Sequence, residues 1–138
     1  MNVLVVDDYE INRIVLLYIL QKLGYSADLA TNGQEALKAA QLKPYQLIFM
    51  DIQMPLMDGK KATEKILESV AQPPYIIAVS ANTSVRDKND CLALGMVDYI
   101  EKPIDFQKIK QILEYYSGQK HPANVSRINE LGEEQSNV

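Results

Sequence analysis

The chain has 138 residues. Five polar residues each follow a short run of apolar, mostly β-branched side chains: the pair Asp7-Asp8 after Val3-Leu4-Val5-Val6, Asp51 after Leu47-Ile48-Phe49-Met50, Ser80 after Tyr75-Ile76-Ile77-Ala78-Val79, and Lys102 after Val97-Asp98-Tyr99-Ile100. Three carboxylates brought together repel one another and are costly unless a cation neutralises them. Oxygen-only ligands with no His or Cys nearby select a hard ion, Mg²⁺ or Mn²⁺. Lys102 adds a positive charge and Ser80 a hydroxyl donor, both suited to an anion. Acid cluster, divalent ion, hydroxyl and lysine together describe phosphoryl transfer, with the metal and lysine on phosphoryl oxygens while a carboxylate attacks.

That chemistry requires the residues to converge, so the elements between them matter. The runs Val3–Val6, Leu47–Met50 and Tyr75–Val79 are too short for helices and read as strands buried on both faces. Ala27-Asp28-Leu29-Ala30 and Val97-Asp98-Tyr99-Ile100 each carry an acid and suit sheet edges. Helical spacing fills the intervals. Ile11, Ile14, Val15 and Tyr18 follow i, i+3, i+4, i+7 in a helix that stops at Gly24. Ala36, Leu37 and Ala40 mark a second helix, ended before Pro44. Thr63, Ile66, Leu67 and Val70 mark a third, closed by Pro73-Pro74. A fourth runs from about Ser84 to Leu94, with Val85 and Leu92 as a thin stripe and low marginal stability. Ile109, Ile112, Leu113 and Tyr116 give a fifth. Strand–helix alternation repeated five times is an α/β fold with a five-stranded parallel sheet. Right-handed crossovers and two polar edge strands favour the order 2-1-3-4-5, the flavodoxin-like (βα)5 three-layer sandwich. In that sheet the polar strand ends share one edge, at the switch point between strands 1 and 3.

Composition bounds the rest. Hydrophobic residues make up 47% and charged residues 23%, the balance of one soluble globular domain. A single cysteine, Cys91, excludes an internal disulfide framework and reads as an inert helix residue. No apolar run approaches the ~18–20 residues of a membrane span, and Met1 leaves no room for a signal peptide, so a cytoplasmic location is expected. Net charge is -4, which argues against direct nucleic-acid binding. From Ser117 onward Gly118, Pro122, Gly132 and several Asn and Ser dominate. A domain over 1–117 and a flexible tail or linker stub over 118–138 are therefore expected, with a short helix around Ser126–Glu134 and the only histidine, His121, in the tail.

The sequence resembles the receiver domain of two-component response regulators, over roughly Asn2 to Tyr116. Carrying residues are Val6-Asp7-Asp8, Met50-Asp51-Ile52-Gln53-Met54-Pro55 with Asp58-Gly59, Val79-Ser80-Ala81, and Tyr99 followed by Glu101-Lys102-Pro103. The resemblance implies a phosphorylation-activated signalling switch, not an enzyme in the ordinary sense. Asp51 looks like the phosphoacceptor, receiving its group from a sensor histidine kinase or a histidine phosphotransfer protein. Asp7, Asp8 and Asp51 look like the Mg²⁺ ligands, with the main-chain carbonyl of Gln53. Ser80 looks like the switch hydroxyl, Tyr99 like the aromatic that swings in behind it, and Lys102 like the ion-pairing lysine, with Lys102-Pro103 commonly cis. Ser80 stands where Thr is commoner, and Tyr9 where hybrid-kinase receivers often carry Asn. Gln53 and Asn82 occupy positions that tune phosphate lifetime. The motif style leans towards hybrid kinases and phosphorelays.

Asp7-Asp8 also suits a helix cap, Asp51 a turn, Ser80 a cap of the next helix, Tyr99 half-buried packing, and Lys102 a surface charge. Other function classes are a receiver-like scaffold that works without phosphorylation, a flavin-binding flavodoxin relative and a haloacid-dehalogenase-type phosphatase. Two carboxylates after strand 1 would repel a flavin phosphate, and the phosphatase needs Asp-x-Asp there, where alternate residues share a strand face. No output domain fits after Ser117, so an unidentified downstream protein partner, a larger parent chain, or a homodimer through the helix 4–strand 5–helix 5 face is expected to carry the signal.

Overall fold

The computed structural model describes residues 1–82 and 84–118. The tail from residue 119, with His121 and the expected helix around Ser126–Glu134, lies outside the described residues. Ten elements alternate: β1 Val3–Val6, α1 Glu10–Lys22, β2 Ala27–Ala30, α2 Gly33–Leu42, β3 Leu47–Asp51, α3 Gly59–Ser69, β4 Tyr75–Ser80, α4 Val85–Ala93, β5 Asp98–Glu101 and α5 Phe106–Ser117. All strand pairs are parallel, in the order β2-β1-β3-β4-β5. The sheet is thus the expected one, with the two acid-bearing strands at its edges.

Because successive strand side chains point to opposite faces, each central strand feeds two cores. Val3, Val5, Phe49 and Ile77 pack with Leu16, Leu20, Ile109 and Leu113 of α1 and α5. Leu4, Val6, Ile48 and Ile76 pack with Ala36, Ile66 and Cys91 of α2, α3 and α4. Three layers result. The short apolar runs are uniformly buried because they are covered on both sides.

Two helices differ from their expected faces. In α1 the stripe Ile11, Ile14, Val15 and Tyr18 is exposed, Ile14 at 56%, whereas Leu16, Ile19 and Leu20 are buried, Leu16 at 2%. The helix is apolar nearly all round, so two i, i+3, i+4 sets compete and the register of β1 against α1 decides between them. In α4 Val85 and Leu92 are exposed, and Cys91 is its buried residue. The α5 stripe Ile109, Ile112, Leu113 and Tyr116 is buried as expected. Side-chain caps start four helices, from Asn32, Asp58, Ser84 and Asp105. Among the described residues, no helix is long and apolar enough to cross a membrane.

Candidate functional site

Among the described residues the buried polar side chains are Asp7, Asp51, Thr63 and Ser80. Three of these are strand-end residues picked out by the sequence, and all three sit at the carboxyl edge of the sheet. Asp51 is the last residue of β3 and Asp7 follows β1, its neighbour in the sheet. Asp7 is 3% exposed and Asp51 2%, while Asp8 faces solvent. Carboxylate oxygens of Asp7, Asp8 and Asp51 all come within 4.8 Å of one another.

Lys102 enters from the other side. Its Nζ lies 3.3 Å from Asp7 Oδ2 and 3.4 Å from Asp51 Oδ1. It reaches the site from the segment after β5, anchored where Lys102 N–H donates to the Ser80 carbonyl at 2.9 Å. The following peptide, Lys102-Pro103, is cis, as the resemblance implies. Burial pushes the Asp51 carboxyl up to about 7, with the Asp7 charge adding to the rise. Lys102 and the Gln53 N–H, which donates to Asp51 Oδ1 at 3.2 Å, pull the other way.

The plainer role of helix cap is not taken by the acidic pair. The N-cap of α1 is Tyr9, which makes no side-chain cap bond. Asp7 Oδ1 instead accepts Tyr9 N–H at 2.9 Å, and the Arg13 guanidinium donates to the Asp7 carbonyl at 2.8 Å. These bonds fix the turn that aims the pair. Ser80 likewise does not cap α4, whose cap is Ser84. Its Oγ accepts Asn82 N–H at 3.0 Å, inside the β4–α4 turn. Tyr99 is half-buried on β5, and its hydroxyl donates to the Asn82 carbonyl and to Asp87 Oδ2 at 3.0 Å.

Some contributors carry no chemistry in the sequence reading. Gly59 opens α3 directly against the end of β3: a Cβ there would lie 2.2 Å from the Asp51 carbonyl oxygen. Its N–H donates to the Ile52 carbonyl at 2.9 Å, locking the loop behind Asp51. The Asp58-Gly59 pair was visible as a motif, but a close backbone approach leaves no periodic signal. Lys60 and Asp87, from α3 and α4, form a 2.8 Å ion pair beside the site. Nothing short of their three-dimensional juxtaposition joins residues so far apart in the chain.

The donor set suits a hard divalent ion. All three candidate ligands are carboxylates, and with all three ionised against one lysine the net charge is −2, which a divalent cation cancels.

Residues 3–114 match the family described as response regulator receiver domain. The chain is 34% identical over 139 residues to the sensor histidine kinase GacS of Pseudomonas protegens, with 95% of this chain but 15% of that protein covered. It is 37% identical over 117 residues to the sensor histidine kinase RcsC of Escherichia coli, covering 85% of this chain and 12% of that one. The chain therefore spans a small part of these curated relatives. Among solved structures it resembles the receiver domain of a sensor histidine kinase from Pseudomonas aeruginosa, described with a magnesium ion coordinated in its active-site cleft, at 34% identity and TM-score 0.77, covering 86% of this chain and 98% of that one. It also resembles a Saccharomyces cerevisiae complex of a histidine phosphotransfer signaling protein with the receiver domain of its downstream response regulator, at 35% identity and TM-score 0.77, covering 85% of this chain and 89% of that one.

Proposed function

This chain belongs to the response regulator receiver domain family of two-component and phosphorelay signalling, and from that premise we propose that it is a working switch phosphorylated on Asp51. The observation that carries the reading is the trio Asp7, Asp8 and Asp51 with the Lys102 ammonium set between its two buried members. The unit that does this is residues 1–117.

In the proposed step an oxygen of Asp51 attacks the phosphorus of a phosphohistidine. The new O–P bond forms as the P–N bond breaks, and the bonding pair returns to the imidazole nitrogen, which picks up a proton from solvent. Asp7, Asp8, Asp51 and the Gln53 carbonyl would hold Mg²⁺, which supplies charge neutralisation for the phosphoryl oxygens. Lys102 screens the incoming phosphoryl charge from Asp7 and offsets part of the rise on Asp51, which favours the ionised, nucleophilic form. Ser80, at the end of the neighbouring strand β4, offers its hydroxyl to a phosphoryl oxygen. Drawing Ser80 towards Asp51 empties space behind it for Tyr99. Hydrolysis by water at phosphorus resets the switch.

The donor is a sensor histidine kinase or a histidine phosphotransfer protein. It must cover the rim of the crevice to deliver its phosphoryl group, and α1 begins at that rim, two residues after the acidic pair. The exposed apolar face of Tyr9, Ile11, Ile14, Val15 and Tyr18 supplies what such a partner can bury. The Saccharomyces neighbour, a receiver held by a phosphotransfer protein, supports this kind of partner.

The test is intact-protein mass after incubation with acetyl phosphate, with and without Mg²⁺, beside Asp51→Asn. A Mg²⁺-dependent gain of one phosphoryl group that the variant lacks is the expected result. No gain in any condition would replace this reading with a scaffold that works unphosphorylated.

A further inference from the structure

The helix α4 is attached to the fold in an unusual way. Its one buried side chain is Cys91, and its larger apolar residues Val85 and Leu92 face solvent. Little hydrophobic burial holds it, so polar contacts set where it lies. Besides Lys88 to Glu101 at 3.4 Å and Lys60 to Asp90 at 4.0 Å, two of those contacts meet at Asp87. One oxygen, Oδ1, accepts Lys60 Nζ of α3 at 2.8 Å; the other, Oδ2, accepts the Tyr99 hydroxyl of β5 at 3.0 Å. The Asp87 side chain is only 14% exposed. The Lys60 ammonium, and then the Tyr99 hydroxyl, hold its carboxyl below the usual range.

The two ends of this chain of contacts matter. Lys60 is the residue after Gly59, whose backbone packs against the carbonyl of Asp51 and is bonded to Ile52. A movement of the Asp51 loop therefore moves Lys60. Tyr99 carries its hydroxyl to Asp87 and to the Asn82 carbonyl, two residues past Ser80. The tyrosine ring is also flanked by Lys88, with Nζ 5.6 Å from its centroid and 3.4 Å from Glu101. Tyr99 is half-buried, its ring packed against the core under α2, α3 and α4, and its hydroxyl end is held by polar bonds, so a charge-assisted bond to a shielded carboxylate is a strong selector among its rotamers.

We propose that Lys60 and Asp87 are positioning residues for the switch: their α3–α4 ion pair fixes the rotamer of Tyr99 in the resting protein and passes displacement of the Asp51 loop to it. The proposal rests on reading Asp51 as the phosphoacceptor and Tyr99 as the switch aromatic. It assigns to this chain a route on the α3 side of the crevice that meets, at the Tyr99 hydroxyl, the side-chain bond from Ser80. A helix held by polar contacts can shift without opening a core, which suits it to relay such a movement.

The experiment uses the full chain labelled with 3-fluorotyrosine, with the Tyr99 ¹⁹F resonance assigned from Tyr99→Phe. Spectra are recorded for wild type, Lys60→Gln, Lys60→Arg, Asp87→Asn and the double variant, each with and without beryllofluoride and Mg²⁺. Lys60→Gln leaves the Asp87 carboxylate and its bond from the Tyr99 hydroxyl in place, so it reads the ion pair even if Asp87→Asn loosens α4. The expected result is loss of the wild-type Tyr99 resonance position in Lys60→Gln and Asp87→Asn, no further change in the double variant, and its return in Lys60→Arg. A Tyr99 resonance unmoved by Lys60→Gln would overturn the proposal, as would equal and additive shifts from the two variants. The resting spectra need no phosphoryl group. A chain that never labels on Asp51 thus sinks the functional reading without deciding this one, which the resting spectra decide.

Discussion

Lys102 Nζ lies 3.4 Å from Asp51 Oδ1 while standing 3.3 Å from Asp7 Oδ2, so one ammonium serves two buried carboxylates. It is the cation that offsets part of the rise that burial and Asp7 impose on Asp51. Lys102→Gln keeps much of the length and removes the charge. Asp51 then holds its proton more firmly, and the incoming phosphoryl group meets Asp7 unscreened. Labelling by acetyl phosphate at pH 7 should slow by about a hundredfold, the scale of losing one preorganised charge-stabilising donor. Intact mass against time measures it, and a rate within twofold of wild type would remove Lys102 from the mechanism.

Metal-free protein should carry an electrostatic penalty at neutral pH that traces to Asp51. Its folded value of about 7 stands above the ordinary 3.8. Between those values the folded chain keeps a proton that the unfolded chain has released, so stability from this group is fully present below about 3.8 and is lost as pH rises through 7. Asp51→Asn has no such slope. In chelator, the variant should melt above wild type at pH 7.5, and the gap should narrow towards pH 4. Saturating Mg²⁺ should also narrow it, by favouring the ionised carboxylate in wild type. Melting curves across pH that ran parallel for the two proteins would contradict this.

Most of this was legible because Asp7, Asp51 and Ser80 each close an apolar run and Lys102 follows one. Strand ends are the one place where a parallel sheet forces polar side chains together, so Asp7, Asp51, Ser80 and Lys102 could be placed without a structure. Acids in Ala27–Ala30 and Asp98–Glu101 marked the edge strands for the same reason: a side chain covered on both faces rarely carries a charge. The α1 face was not legible. Ile11, Ile14, Val15 and Tyr18 compete with Leu16, Ile19 and Leu20, and periodicity cannot rank two stripes of equal apolarity. The Lys60–Asp87 pair was equally hidden, because ion pairs between helices follow packing and not spacing.

Gly59 offers a test of how tightly the Asp51 loop is built. A Cβ there would sit 2.2 Å from the Asp51 carbonyl oxygen and 2.9 Å from the Ile52 Cα, both backbone atoms that cannot turn aside. Gly59→Ala must therefore push α3 off the end of β3. A loss of about 1–3 kcal/mol in urea unfolding is expected, the range of an overpacked site. Labelling of Asp51 should fall with it, since the same shift displaces the carboxylate. A Gly59→Ala protein with wild-type stability would mean the loop yields easily.

The corrected face of α1 separates stability from recognition. Leu16 is 2% exposed and Ile14 56%, although the two are near neighbours on one helix. Leu16→Ala should cost about 2–5 kcal/mol by leaving a cavity in the α1–α5 core, whereas Ile14→Ala should stay within about 0.5 kcal/mol of wild type. Acetyl phosphate, too small to touch α1, should label Ile14→Ala at the wild-type rate. Transfer from a phosphorylated histidine phosphotransfer protein should instead slow by tenfold or more when Ile14 and Tyr18 are both changed to Ala, because that donor must cover the helix to reach Asp51. Comparing the two donors on the same variant distinguishes a damaged site from a lost dock. Equal rates from the protein donor on wild type and variant would leave the exposed stripe without this role.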